Sequence, residues 1–458
     1  MNSHIFREYD IRGVVEKDLK GDVPRQIGLA LGSELRARLK KKAGEKLTVV
    51  VGHDNRPSSP KLAEQAIAGL LETGADVVFV GTVPTPVLYF AFAHFKGDGA
   101  LQITGSHNPP EYNGFKMVAT DGSIYGDAIQ RMRTRIEKRD FASGLGDVKV
   151  EDVKRAYVEH FGSKFKLSRP VKVVVDCGNG AGSLVAVDLL ERIGADVVPL
   201  FCESDGTFPN HHPDPVVDEN LVDLIAEVKK QKAELGIAFD GDADRIGAVD
   251  EKGRIVRGDI LLLLFGLDAL DRRGRGIELI FDVKCSQAVP EVFEKAGGKP
   301  VMWKTGHSLI KERMKKSGAP VAGELSGHIC FAEANNFDDA LYAACRLIDM
   351  QARSKEPLSA RTDAFPQYVS TPELRVDVTE ETKFGIVERA VAHFRRDHVV
   401  IDVDGARVQF DGGWGLVRAS NTQPVLVLRY EARDETRLAH IRETFEGWLR
   451  QQGVNPAA

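Results

Sequence analysis

A chain of 458 residues is too long for one hydrophobic core and, at 100–200 residues per domain, divides into about three or four domains. Its 43% hydrophobic and 28% charged residues are those of a soluble globular protein, and a net charge of −5 leaves no basic excess to hold a polynucleotide. Residues 1–10 contain no signal-peptide core, and the apolar run 261–265 is too short to cross a bilayer and reads as buried helix. Five scattered cysteines (Cys177, Cys202, Cys285, Cys330, Cys345) without a CxxC pair imply reduced thiols. A cytoplasmic protein is expected, with no nucleic-acid or membrane partner and no obligate protein partner evident.

Near the start, Tyr9-Asp10-Ile11-Arg12-Gly13 places a tyrosine and an arginine in a short turn, and Lys40-Lys41-Lys42 reads as a solvated helix end. A strand over 47–52 then leads into Asp54-Asn55-Arg56-Pro57, a helix-like segment and a strand near 74–80. The pattern returns as a strand over 171–175, Asp176-Cys177-Gly178-Asn179-Gly180, a helix and a strand near 194–198. It appears again as a strand over 279–281, Asp282-Val283-Lys284-Cys285-Ser286, a helix and a strand near 297–301. Each unit is followed by a strand ending in a polar loop, at 104–108, 240–245 and 323–328. Helices between buried strands predict three similar mixed-sheet α/β domains, whose ligand loops lie beyond the strands' carboxyl ends and could point at a central cleft. After residue 366 the pattern changes. A strand over 374–378 and a helix over 381–394, with Phe384, Ile386, Val387 and Val391 apolar, precede short strands at 399–403, 406–410, 414–419 and 425–430 and a final helix. This is a smaller α+β domain. The expected boundaries are 1–150, 151–255, 256–366 and 367–458.

The loop Thr104-Gly105-Ser106-His107-Asn108-Pro109 places a hydroxyl beside an imidazole. Ser106 is a candidate nucleophile, since transfer through an enzyme group divides a difficult exchange into two steps. His107 could bond the phosphate or move a proton, although a plain capped turn would use the same residues. The segment is neither a G-x-S-x-G elbow nor a phosphate-binding G-x-x-x-x-G-K-[ST] loop. Downstream, Asp240, Asp242 and Asp244 alternate at a strand end. Three such carboxylates repel one another unless a cation joins them, and their hard oxygens favour magnesium or manganese. An EF-hand is excluded because Arg245 stands where that loop needs glycine. Arg245 suits bridging of carboxylate and phosphate oxygens. Glu324 and Ser326 could read neighbouring sugar hydroxyls, with His328 beside them, or form an ordinary polar turn. Arg418-Ala419-Ser420-Asn421-Thr422 resembles an anion cradle. Lys116 could neutralise an attacking hydroxyl. Lys284, Thr305, Gly306 and His307 also fall in loops after strands.

Together these motifs resemble the α-D-phosphohexomutase superfamily over the full chain, and most nearly its bacterial phosphomannomutase/phosphoglucomutase group. The resemblance implies four domains around a deep cleft: a phosphoserine domain, a metal-binding domain, a sugar-recognition domain and a phosphate-binding C-terminal domain. It implies that Ser106 carries the phosphoryl group and that Asp240, Asp242 and Asp244, with the phosphoserine, hold one magnesium. Glu324 and Ser326 would read the sugar, and Arg418, Ser420, Asn421 and Thr422 the non-reacting phosphate. Arg12, His107, Lys116, Arg245 and His328 would assist transfer, while Tyr9, Lys284 and His307 complete the pocket. The implied reaction interconverts hexose 1-phosphate and hexose 6-phosphate, of mannose and glucose, through a hexose 1,6-bisphosphate that turns around before the second transfer. Leu325 and Gly105 depart from the glucosamine-specific branch, where glutamine and alanine are usual. A phosphoglucosamine mutase and a silent sugar-phosphate sensor are the alternatives, and the motifs a sensor would lose are intact.

Overall fold

The computed structural model describes residues 2–42, 44–421 and 423–456. Its packing groups the chain into two compact units, residues 1–261 with 326–360, and residues 262–325 with 361–458. The first unit holds two sheets. One contains β1 (Ile11–Val14), β2 (Thr48–His53), β3 (Asp76–Thr82), β4 (Gly99–Ile103), β5 (Tyr112–Ala119), β6 (Gly122–Ser123) and β7 (Val148–Val150), in the order β1-β5-β4-β2-β3-β7 with β6 on β5. The other contains β8 (Lys172–Asp176), β9 (Asp196–Leu200), β10 (Leu235–Phe239), β11 (Ile246–Asp250) and β12 (Ile255–Val256), in the order β12-β11-β10-β8-β9. In the second unit β13 (Glu278–Asp282) lies parallel to both β14 (Lys299–Trp303) and β15 (Val321–Gly323).

The repeat expected from the sequence is present as topology. β2 lies between β3 and β4, β8 between β9 and β10, and β13 between β14 and β15, all parallel. The central strands carry continuous apolar runs, Val49–Val51, Val173–Val175 and Leu279–Phe281, as strands of buried parallel sheets do. Antiparallel partners (β5 on β4, β11 on β10) make the sheets of the first unit mixed. Each third strand runs straight into one of the polar loops, so those loops sit at carboxyl ends. The helices Val23–Arg38 and Ser59–Glu72 cross closely on the first sheet, where a Cβ on Gly28 would lie 2.0 Å from the Ala66 carbonyl oxygen.

In the C-terminal part of the second unit, antiparallel strands Ala406–Phe410, Gly413–Ala419 and Val425–Ala432 carry the helices Lys383–Phe394 and Glu435–Gln451. Their core includes Ile386, Phe394, Leu428, Phe445 and Trp448. Two expectations need correction here. Phe384 is 50% exposed, and Lys383 is buried in its place because its ammonium donates to the Ser420 carbonyl at 2.7 Å. The strand expected over 399–403 shortens to Val400–Ile401, with Val399 exposed. Lys40–Lys42 lie past a helix that ends at Arg38, and Lys41 pairs with Asp98 at 2.7 Å. The five cysteines are free, and Leu261–Phe265 is buried within the helix Gly258–Arg273. Among the described residues no helix is long and apolar enough to cross a membrane.

Candidate active site

Three backbone segments of the first unit bring its candidate residues together: the loop after β4, the loop after β10, and the turn that enters the short strand Ile329–Phe331. Ser106 sits in the first with φ +50°, a left-handed conformation that a non-glycine residue adopts at a cost. Its Oγ donates to Asp240 Oδ2 at 2.9 Å and lies 3.2 Å from His107 Nδ1. Its N–H is held by Thr104 Oγ1 at 2.9 Å. The second loop approaches from below at Gly241, where a Cβ would lie 2.4 Å from the Ser106 carbonyl oxygen. Only glycine lets the serine and aspartate loops meet this closely.

Asp240, Asp242 and Asp244 are fully buried, and oxygens of all three lie within 4.8 Å of one another. Asp240 Oδ1 accepts from the Asp244 and Arg245 N–H groups, both at 3.0 Å, which sets the loop's curvature. Burial, then the charges of Asp244 and Asp242, push the Asp240 carboxyl well above the usual range. Lys116, on β5, donates to Asp242 at 2.8 Å and also to Asp244. Burial alone would lower its pKa, but Asp242 and Asp244 overcome that and raise it, so it is an ammonium. Burial raises Asp244 too, and there the Lys116 ammonium prevails and holds the carboxyl low. Thr85 donates its hydroxyl to Asp242.

A hard divalent cation fits this donor set. The carboxyl oxygens Asp242 Oδ1 and Asp244 Oδ1 are buried and accept no hydrogen bond, and every candidate donor in the triplet is a hard carboxyl oxygen. A further buried group, Asp244, His328 and Asp338, also brings its donor atoms within 4.8 Å. There the Arg245 Nε–H donates to His328 Nε2 at 3.0 Å, so the imidazole carries its proton on Nδ1, which faces Asp338 at 3.0 Å and Asp244 at 3.5 Å. Burial, followed by Arg245, Arg12 and Lys116, drives the His107 pKa well down and keeps that ring neutral. Arg12 reaches Asn108 Oδ1 at 3.1 Å and pairs with Asp10. Tyr9 is half-buried in the turn before β1, and Ser326 is half-buried in the turn before His328.

The remaining candidates lie in the second unit. Lys284, at the carboxyl end of β13, donates to Glu373 at 2.8 Å and lies 3.7 Å from Asp282. Burial lowers its pKa, but Glu373, Asp282 and Glu324 outweigh that and raise it. Glu324 Oε1 accepts from the Gly306 N–H at 2.6 Å, next to His307 at the head of the helix His307–Ser317. Asp404 Oδ2 accepts both the Thr305 N–H and the Arg418 Nε–H at 3.0 Å, tying the loop after β14 to Arg418. Ser420 is buried, its N–H donating to Val425 and its Oγ accepting from Gln423. Asn421 follows it, and Thr422 lies outside the described residues.

Sequence reasoning missed Asp10, Asp54, Arg56, Thr85, Asp338, Glu373, Lys383 and Asp404, all partners of named residues. Asp54 alone carried a signal, its position after a first repeat strand, which Asp176 and Asp282 share.

Family models named phosphoglucomutase/phosphomannomutase α/β/α domain I, domain II and domain III match residues 3–143, 155–253 and 257–368, and the corresponding C-terminal domain model matches residues 373–447. The phosphomannomutase/phosphoglucomutase of Pseudomonas aeruginosa is 48% identical over 449 residues, covering 97% of this chain and 95% of that protein. The phosphoglucomutase of Neisseria gonorrhoeae is 45% identical over 450 residues, 96% of each. A crystal structure of a phosphoglucomutase/phosphomannomutase family protein from Burkholderia thailandensis superposes with a TM-score of 0.91 at 44% identity, covering 100% of this chain and 99% of that one. Four domain models in order and relatives 45–48% identical over at least 95% of their length agree: the chain belongs to the phosphoglucomutase/phosphomannomutase family of the α-D-phosphohexomutase superfamily.

Proposed function

We propose that Ser106, as a phosphoserine, passes its phosphoryl group to the free hydroxyl of a hexose phosphate, and takes the other phosphoryl of the resulting hexose 1,6-bisphosphate back. The chain is an enzyme, a hexose-phosphate mutase of the phosphomannomutase/phosphoglucomutase type. The observation that carries the route is the 2.9 Å hydrogen bond from Ser106 Oγ to Asp240 inside a buried triple-carboxylate loop.

Asp240, Asp242 and Asp244, with the phosphoserine, would hold one magnesium, which when bound withdraws charge from the transferring group. Lys116 and Arg245 place fixed positive charge beside the same oxygens, where a buried site makes it count most. Arg12 steadies the serine loop through Asn108. Neutral His107 offers a hydrogen bond to the phosphate. His328 presents Nε2 as an acceptor to a donor, and in exchanging Arg245 for a substrate hydroxyl it can take that proton. Lys284, His307, Glu324 and Ser326 would contact the sugar. Arg418, Ser420, Asn421 and Thr422 would grip the non-reacting phosphate. Tyr9 would complete the pocket. Mannose and glucose differ at C2, and a loop that reads other hydroxyls accepts both.

The test is turnover with magnesium and a trace of hexose 1,6-bisphosphate, comparing glucose 1-phosphate, mannose 1-phosphate and glucosamine 1-phosphate by kcat/KM. Comparable turnover of the first two, abolished in Ser106→Ala, supports the reading. Dominance of glucosamine 1-phosphate would move the chain to the amino-sugar branch. Inactivity on all three would make it a sensor.

A further inference from the structure

Arg56 does nothing in the route above, yet it is among the most deeply buried charged side chains in the first unit. Its guanidinium has five N–H donors, and every one is used. Nε donates to Asp54 Oδ2 at 3.1 Å. One terminal nitrogen donates to the carbonyls of Pro109 at 2.7 Å and Tyr112 at 3.2 Å, and the other to those of Ser106 at 2.8 Å and Asn108 at 2.6 Å. Three carbonyls of the serine loop and that of Tyr112, the first residue of β5, therefore converge on one planar cation. Asp54 completes the frame by accepting the Gly105 N–H at 3.1 Å and the Arg56 N–H at 3.0 Å. The Phe208 ring lies 5.0 Å from the guanidinium and closes its open side.

We propose that Arg56 is a positioning residue for phosphoryl transfer, a five-donor clamp that draws the serine-loop carbonyls inward and so holds the left-handed turn that aims Ser106 Oγ at the carboxylate loop. The proposal rests on the phosphoserine route. A left-handed serine is not a conformation the loop would keep by itself, and a backbone whose carbonyls all turn toward one buried charge has no competing arrangement. Lysine has three donors on one point and cannot span four carbonyls and a carboxylate.

Arg36 supplies the control. It is a second buried arginine of the same unit, and it too clamps carbonyls, those of Thr73, Lys42, Glu45 and Gly74 at 2.8–3.0 Å, on loops that hold no candidate site residue. Arg56→Lys and Arg36→Lys would be compared by kcat and KM, by thermal melting, and by the rate at which hexose 1,6-bisphosphate phosphorylates Ser106, followed by intact mass. Arg56→Lys is expected to lower kcat and the phosphorylation rate by about 100-fold, the cost of a misplaced reacting atom, with KM changed less than about threefold. Arg36→Lys is expected to lower the melting temperature and leave kcat within about twofold. If Arg56→Lys does not fold, Asp54→Asn loosens the same clamp and is expected to lower kcat about tenfold. Wild-type kcat in folded Arg56→Lys, or equal kcat losses in the two lysine variants, would overturn the clamp. A wild-type Ser106 that accepts no phosphoryl group would instead overturn the phosphoserine route, and the clamp's role in transfer with it.

Discussion

Glu373 shows how a single partner fixes the state of a candidate residue. Lys284, acting against burial, takes its carboxyl from 4.5 down to about 2. A carboxyl depressed by folding contributes stability that is present above about pH 4.5 and lost as pH falls toward 2, at most about 3 kcal/mol here. Glu373→Gln is therefore expected to narrow the gap in melting temperature between pH 6 and pH 3, and an unchanged gap would refute the pairing. For the carboxylate loop, Asp240→Asn keeps the shape and removes a charge from both the serine and the cation. Its kcat is expected to fall at least about 100-fold at saturating magnesium, and a chelator is expected to abolish wild-type turnover until magnesium is restored. At this scale the sequence carried the chemistry-bearing residues but not their partners. Ser106, Asp240 and Arg245 stand in motifs whose composition is itself unusual. Arg56 and Glu373 are ordinary residues in the sequence, and acquire meaning only from pairings across 50 and 89 positions, which no local pattern encodes.

Among elements, the repeated strand order was legible because each repeat begins with a valine- or isoleucine-rich run followed by aspartate. What was not legible is that these aspartates tie loops together. Asp54 Oδ2 accepts the Gly105 N–H and Asp282 Oδ1 the Leu325 N–H, so in two of the three layers an aspartate at the carboxyl end of the first strand fastens the loop after the third. Asp176 breaks the analogy by bonding His211 and the Gly178 N–H. The helix expected over 381–394 begins at Lys383 with its apolar face turned, because periodicity ranks Phe above Lys and cannot foresee the Ser420 and Gln423 carbonyls waiting for an ammonium. The crossing of Val23–Arg38 on Ser59–Glu72 makes its own prediction. Gly28→Ala must push two helices apart or strain them, at about 1–3 kcal/mol of unfolding free energy. Denaturant unfolding within 0.5 kcal/mol of wild type (about the level of a neutral surface change) would show that the helices yield freely.

Taken whole, the chain leaves its first compact unit within the helix Gly258–Arg273, returns after Leu325 and leaves again after Ala360. Two units with separate cores need not unfold together. Calorimetry is expected to resolve two transitions, with Gly28→Ala moving one and Phe445→Ala, which empties the C-terminal core, moving the other. A single transition shifted equally by both variants would refute independent cores. The family and the division into similar α/β layers were within reach of the sequence. The two-unit grouping was not, since nothing in a linear pattern marks a segment that rejoins an earlier core.

The ammonium of Lys116, set between Asp242 and Asp244, has a consequence for exchange. It would be a built-in competitor: a divalent ion held by the carboxylate loop would share two of its three carboxylates, Asp242 and Asp244, with a resident positive charge. That charge would hold affinity down and keep release fast, so that occupancy would follow the concentration of the free ion. Lys116→Met is accordingly expected to bind magnesium about tenfold more tightly by titration calorimetry, as removal of one opposing charge from a small oxygen cage implies, even as it loses turnover.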